Sequence, residues 1–313
     1  MSKYRRRLMM NNADKILPDY LCFTALESGT FTLTIGANVP SANYQYVEYS
    51  VDGGENWVKT VNADSTLVVV TTPSIDNGGT VLWRGIGTSM SVNTGNFAAD
   101  GSCVFSSSGE FDVSGHICSL LYGSSSSSYN ELPSGQSTFF GLFNNAKKLI
   151  NAKDLKLPNN TRYYAYKRFM SGCSGLLTAP VFPADNAVEQ SYNSTFYNCT
   201  SLTESPYLRA TGGSGIYICQ QMFYGCRNMN YIKVMFKTRP TSTAFANWTT
   251  NVASAGIFVK HIEATWTYTG VSGVPSEWTV IYYNPDTDKY YLSDRATECD
   301  DHGNPILGGG VNT

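Results

Sequence analysis

Between residues 20 and 110, apolar and polar residues alternate in short bursts broken by turn formers. That period of two predicts β-strands rather than helices. Phe31, Leu33 and Ile35 alternate with threonines, and Tyr44, Tyr46 and Tyr49 lead into Ser50-Val51-Asp52-Gly53-Gly54-Glu55-Asn56-Trp57. Asp-Gly-Gly supplies positions that accept positive φ, so a tight hairpin is predicted, with Trp57 burying its ring on the returning strand. Residues 67–70 read as a buried strand, and Asn77-Gly78-Gly79 opens another over residues 80–83. Strands at this spacing predict a β-sandwich over residues 20–115. The serines at 124–128 read as a flexible loop.

The strongest pattern follows. Phe143-Asn-Asn-Ala146-Lys-Lys-Leu149 aligns with Met170-Ser-Gly-Cys173-Ser-Gly-Leu176, then with Phe196-Tyr-Asn-Cys199-Thr-Ser-Leu202 and Phe223-Tyr-Gly-Cys226-Arg-Asn-Met229. The spacings are 27, 26 and 27 residues in every column, and Leu155, Phe182, Leu208 and Met235 extend each unit by a further apolar position. A fixed period of this length predicts a solenoid in which each coil contributes a strand and a turn. The expected fold is therefore mainly β: a sandwich over 20–115, about four coils of 26–27 residues within 116–283, and a C-terminal hairpin and acidic tail over 284–313. Residues 278–283 (Trp-Thr-Val-Ile-Tyr-Tyr) are the strand that leads into Tyr290 and Tyr291.

Composition changes the picture in two ways. Charged residues are only 15% while aromatics reach 13%, which excludes a disordered or coiled-coil chain. With 22 Lys+Arg against 24 Asp+Glu, no broad basic surface for nucleic acid is expected. No apolar run approaches the roughly 20 residues of a membrane span, so neither nucleic acid nor membrane insertion is expected. The ends differ in sign. Lys3, Arg5, Arg6 and Arg7 open the chain, and a polar stretch follows where a secretory signal would be apolar. Six acids against Lys289 and Arg295 close it. Ordering such ends costs about 1–2 kcal/mol per residue in backbone entropy, so residues 1–19, through Arg5, Arg6 and Arg7, and the tail, through Asp300 and Asp301, are expected to anchor on other subunits. A homo-oligomer is expected as well.

The Tyr-Ser-x-Asp-Gly-Gly-x-x-Trp stretch resembles the hairpin of bacterial immunoglobulin-like domains. Phe-Tyr-Asn-Cys-Thr-Ser-Leu-Thr (196–203), Met-Phe-Tyr-Gly-Cys (222–226) and Gly-Val-Pro-Ser-Glu-Trp-Thr-Val (273–280) resemble BspA-like leucine-rich repeats of bacterial surface proteins. Ala146 departs from the cysteine column, as a capping repeat would. Proteins of this architecture are similar to products of Bacteroides-associated, crAss-like phages, and the Tyr-Arg-Arg-Arg-Leu-Met-Met opening resembles that phage-linked set. The resemblance implies a virion structural protein: a head fibre, capsid decoration or tail-associated adhesin, contacting other virion proteins and a host surface polysaccharide. The alternative it implies is a bacterial cell-surface adhesin that binds matrix proteins or other cells.

The eight cysteines lack the paired spacing of zinc sites, and Cys173, Cys199 and Cys226 share one repeat column, so they are expected to pack as small apolar residues. His116, His261 and His302 sit in no catalytic motif. Asp300-Asp301-His302 reads as a solvated turn or an inter-subunit contact, and Asp286-x-Asp288 as a hairpin turn. No enzyme, metal or cofactor is expected; a polysaccharide-cleaving enzyme ranks last because no acid pair recurs at matched repeat positions. Tyr197 and Tyr224 share a column, and Tyr207 and Tyr231 lie along neighbouring strand segments. These four either stack on sugar rings or complete the packing between coils.

Overall fold

The computed structural model describes residues 19–40, 42–61, 66–91 and 102–306; the basic arm with Arg5, Arg6 and Arg7 lies outside them. The chain is mainly β and its strands form several open sheets. The first nine are β1 (Leu21–Ala25), β2 (Phe31–Ile35), β3 (Tyr44–Ser50), β4 (Val58–Val61), β5 (Val68–Thr71), β6 (Thr80–Gly87), β7 (Cys103–Ser107), β8 (Phe111–His116) and β9 (Leu149–Lys156). One sheet runs β4-β3-β6-β1-β8-β9 and the other β5-β2-β7. Alternation decides which face is buried: Leu21, Phe23 and Ala25 point inward from β1, and Phe31, Leu33 and Ile35 from β2. The sheets meet through rings, with Phe23 5.4 Å from Phe31 and 4.9 Å from Phe105, and Trp83 4.9 Å from Phe105.

Three local expectations are corrected. The hairpin forms, with Gly53 and Gly54 at φ of 76° and 93°, but Trp57 stays half-buried. Its Nε1 donates to the Gly54 carbonyl and the Arg84 guanidinium covers the ring at 3.8 Å, a cation–π contact in place of core packing. The 67–70 run lies at the edge of its sheet, so Leu67 and Val69 are exposed while Val68 and Val70 pack inward. The serine run is a 3-10 turn (Gly123–Ser128) following a single helical turn (Ser119–Tyr122).

Beyond β8 the chain stacks in levels built from consecutive turns. Alternate amides of one level donate to carbonyls of the next: Phe139 to Ala165 (2.9 Å), Phe143 to Phe169 (2.8 Å), Phe196 to Met222 (3.0 Å) and Phe223 to Trp248 (2.8 Å). Amides between them close turns within their own level, as Ala146 does onto Phe143. The backbone is left-handed at every fourth residue of these runs, for example Gln190, Ser194 and Asn198, with φ of 53–58°. The opposite side of each level makes short parallel bridges, Asn151 with Thr178 and Phe182 with Leu208. There β10 (Asn186–Ala187) and β11 (Gly212–Gly213) are only two residues each. The stack is thus held chiefly by turns. It ends in a five-stranded sheet, β12 (Tyr231–Val234), β13 (Ile257–His261) and β14 (Thr279–Asn284) in parallel, then β15 (Lys289–Tyr291) and β16 (Glu298–Cys299) antiparallel.

All four apolar columns of the repeat are buried, Leu155 being the most exposed at 3%. A fifth level, carried by Phe245 and Trp248, continues the stack. One apolar core runs from Leu21 to Trp278, and β9 pairs with β8, so the first sheet crosses residue 116.

Cys173, Cys199 and Cys226 are fully buried, and their thiols point to the carbonyls of Phe143, Met170 and Phe196 at 3.0, 3.1 and 3.0 Å. Burial pushes the Cys173 and Cys226 thiols up to about 12 and Cys199 well above its ordinary range. Reactivity needs exposed thiolate, so these three are expected to resist a disulfide-exchange reagent at about pH 8 and to react only on unfolding. Mass mapping of labelled peptides checks this.

Candidate functional site

The five-stranded sheet has an outward face on which Tyr231 and Lys233 of β12 lie two residues apart, while Ile232 and Val234 point into the core. The sheet bends enough that Tyr290 of β15 meets β12: the Lys233 ammonium donates to the Tyr290 hydroxyl at 2.8 Å. It also lies over three rings, Tyr283 at 3.4 Å, Tyr290 at 4.8 Å and Tyr207 at 4.9 Å. Tyr283 also belongs to a second small core beneath this cage, formed with Met235, Val259, Ile281 and Cys299. That core fixes the C-terminal hairpin over the sheet.

A cleft of about 640 Å³ opens between the two. Tyr207, Tyr231 and Lys233 line it from the stack, Tyr290, Asp301 and His302 from the hairpin side, and Glu204 stands at its rim. Asp301 Oδ1 and His302 Nδ1 are 2.7 Å apart, and His302 faces Tyr231 with ring centroids 6.4 Å apart. The carboxylate of Asp301 raises His302 above its ordinary range, favouring the imidazolium. Burial raises the Tyr231, Tyr207 and Tyr290 hydroxyls, keeping them neutral donors.

Burial also lowers Lys233 to about 8, against the opposing pull of Asp288 and Asp301. Lys260, whose ammonium donates to the Trp266 carbonyl at 2.7 Å, is lowered to about 8 as well. In both, the unfolded chain holds the proton more tightly than the folded one, so each lysine contributes stability that rises with pH from about 8 toward about 10. The buried thiols act with the opposite sign above about 9, because only the folded chain keeps them protonated there. Lys233→Met is expected to remove its lysine's contribution, so the stability of the variant relative to wild type falls between about pH 7 and 9.5, as denaturation of both at the two pH values will read.

Four of the residues singled out by sequence divide into two places. Tyr207 and Tyr231 line the cleft. Tyr197 and Tyr224 stack in parallel on the turn side of the levels, centroids 4.8 Å apart and planes within 5°. Asp301 reaches the cleft, whereas Asp300 builds a turn by accepting from the amides of His302 and Asn304. The ligand atoms of Asp300, Asp301 and His302 lie within 4.8 Å of one another, but Asp300 is half-buried and occupied in that turn while Asp301 and His302 are exposed and bonded to each other. Glu204, Lys233, Tyr290 and His302 were not expected at the site. The one available signal was Tyr231-x-Lys233, an outward pair on a predicted strand.

Among the described residues no helix is long and apolar enough to cross a membrane. Comparison of the chain with protein-family models, with curated proteins and with solved structures finds no match, so the functional reading rests on the cleft.

Proposed function

We propose that this chain is a non-catalytic attachment protein that binds a saccharide in the Tyr207–Tyr231–Tyr290 cleft and serves as a component of a phage virion. The observation that carries the binding reading is the convergence of three tyrosines, a lysine, a histidine and two carboxylates, Glu204 and Asp301, on one cleft. Sugars present apolar C–H faces and a ring of hydroxyls. Tyrosine matches both with its ring and its hydroxyl, and the charged groups supply donors and acceptors that fix orientation. In this reading residues 20–115 are an immunoglobulin-like sandwich and 116–283 a short BspA-like leucine-rich solenoid. The facing sheets and the buried repeat columns support it. The virion role rests on the resemblance of the sequence to phage-linked repeat proteins and on its oppositely charged ends.

One observation favours a second reading. Glu204 and Asp301 border the same cleft, and a carboxylate pair is what a glycoside hydrolase needs. Assay of reducing ends separates the two, because a binding protein releases none.

The full chain, applied to an array of bacterial surface glycans, is expected to retain at least one class. Tyr231→Ala is expected to weaken that binding at least tenfold, about 1.4 kcal/mol, with folding unchanged. Absence of any retained glycan, or equal binding by the variant, contradicts the proposal. For the virion role, cryo-electron microscopy of source particles is expected to show Arg5, Arg6, Arg7 and the segment around Asp300 and Asp301 against capsid or tail subunits; particles without the chain contradict it.

A further inference from the structure

The cleft continues past Glu204. A hollow of about 330 Å³ shares Glu204 and Ser205 with it and extends to Thr178 and Lys153. Another, of about 320 Å³, shares Thr178 and Lys153 with the second and extends to Asn151 and Asp112. The shared wall residues set the three hollows end to end, as one candidate groove.

Its direction follows from register. Asp112 pairs with Asn151, Asn151 bridges Thr178, Glu204 bridges Tyr231, and Tyr231 pairs with Ile257. The groove therefore crosses the parallel segments at one height instead of following any of them. Five spacings of about 4.8 Å separate β8 from β13, giving a length of about 24 Å. At the far end Asn151 is held in place: its Nδ2 donates to Asp112 at 2.7 Å and its Oδ1 accepts from Thr178 at 3.1 Å. That chain of bonds spans three segments before any ligand arrives, the preorganisation that lowers the entropic cost of binding.

We infer that the groove takes an extended polysaccharide chain, laid across the stack from the tyrosine cleft to the β8–β9 edge, and not a single sugar. This inference rests on the saccharide reading of the cleft. The walls argue for that class of polymer. An amphipathic helix needs a continuous apolar strip, whereas here exposed Leu177 is an isolated apolar step between polar residues. A nucleic acid needs net positive charge, whereas Asp112, Asp154, Glu204 and Asp301 outnumber Lys153, Lys233 and the His302 imidazolium along the groove. Hydroxyl, amide and carboxylate groups spaced over about 24 Å suit successive sugar units.

The test is calorimetry of the full chain with xylo-, manno- and cello-oligosaccharides of two to eight units. Affinity for the bound series is expected to rise at least tenfold up to about five units, the number that about 24 Å holds at roughly 5 Å per unit. Leu177→Arg, an exposed substitution that fills the middle hollow, is expected to abolish that gain and leave disaccharide binding unchanged. Affinity independent of length, or a Leu177→Arg variant that keeps the gain, overturns the extended groove while the saccharide cleft stands. Failure of every oligosaccharide to bind overturns the extended groove, and an array of bacterial surface glycans that retains none overturns the saccharide cleft as well.

Discussion

Truncating Trp248 to alanine is expected to cost about 3–5 kcal/mol of folding stability, the range for a large aromatic removed from a packed core. Trp248 is fully buried and its ring packs 4.5 Å from Phe245, 5.9 Å from Phe258 and 6.1 Å from Phe223. It joins the last turn level to the parallel sheet. Its Nε1 donates to the Gly273 carbonyl at 2.8 Å, so truncation also strands a buried acceptor. Against a total of about 5–15 kcal/mol, that loss brings the chain near its unfolding limit. Trp248→Phe keeps most of the packing and should lose much less. Urea denaturation followed by circular dichroism reads both, and a Trp248→Ala midpoint equal to wild type would show that the fifth level is not part of the cooperative core.

Gly115→Ala is expected to be comparably damaging for a different reason. Gly115 sits within β8 at φ 76°, where an L-residue pays about 1–2 kcal/mol for left-handed backbone. An added Cβ would also collide with the Tyr20 carbonyl oxygen. Relief requires moving the start of β1, where the Leu21 amide donates to Ser119 Oγ at 2.9 Å and Tyr20 bridges His116. The joint between the two halves should loosen, and amide exchange in β1, β8 and β9 should accelerate together. Exchange confined to residue 115 and its neighbours would contradict the account.

These sites show what was legible in the sequence. The columns from Phe143 to Met235 could be read because inward positions recur at nearly constant spacing and tolerate only apolar residues. The fifth level escaped because its spacing drops to 25 and Trp248 and Asn251 replace the phenylalanine and cysteine. The turn levels were legible only in part: Gly141, Gly172 and Gly225 mark left-handed positions, but Tyr164, Arg168, Gln190 and Gln221 take the same backbone without glycine's signal. Trp57 and Leu67 were placed too deep because alternation gives the face of a strand and not whether that strand lies at an edge. Of the seven cleft residues named above, Tyr207 and Tyr231 were visible as binding candidates. The rest were not, because Lys233 and Tyr290 stand 57 residues apart and meet only when the hairpin folds over β12.

The most direct measurement on the central claim is fluorine NMR of fluorotyrosine-labelled protein, titrated with the best-retained saccharide. The account predicts shifts at Tyr207, Tyr231 and Tyr290, each assigned by single substitution, with the Tyr197–Tyr224 stack unmoved. Shifts at Tyr197 and Tyr224 with the cleft tyrosines silent would place binding on the turn side of the stack and contradict it.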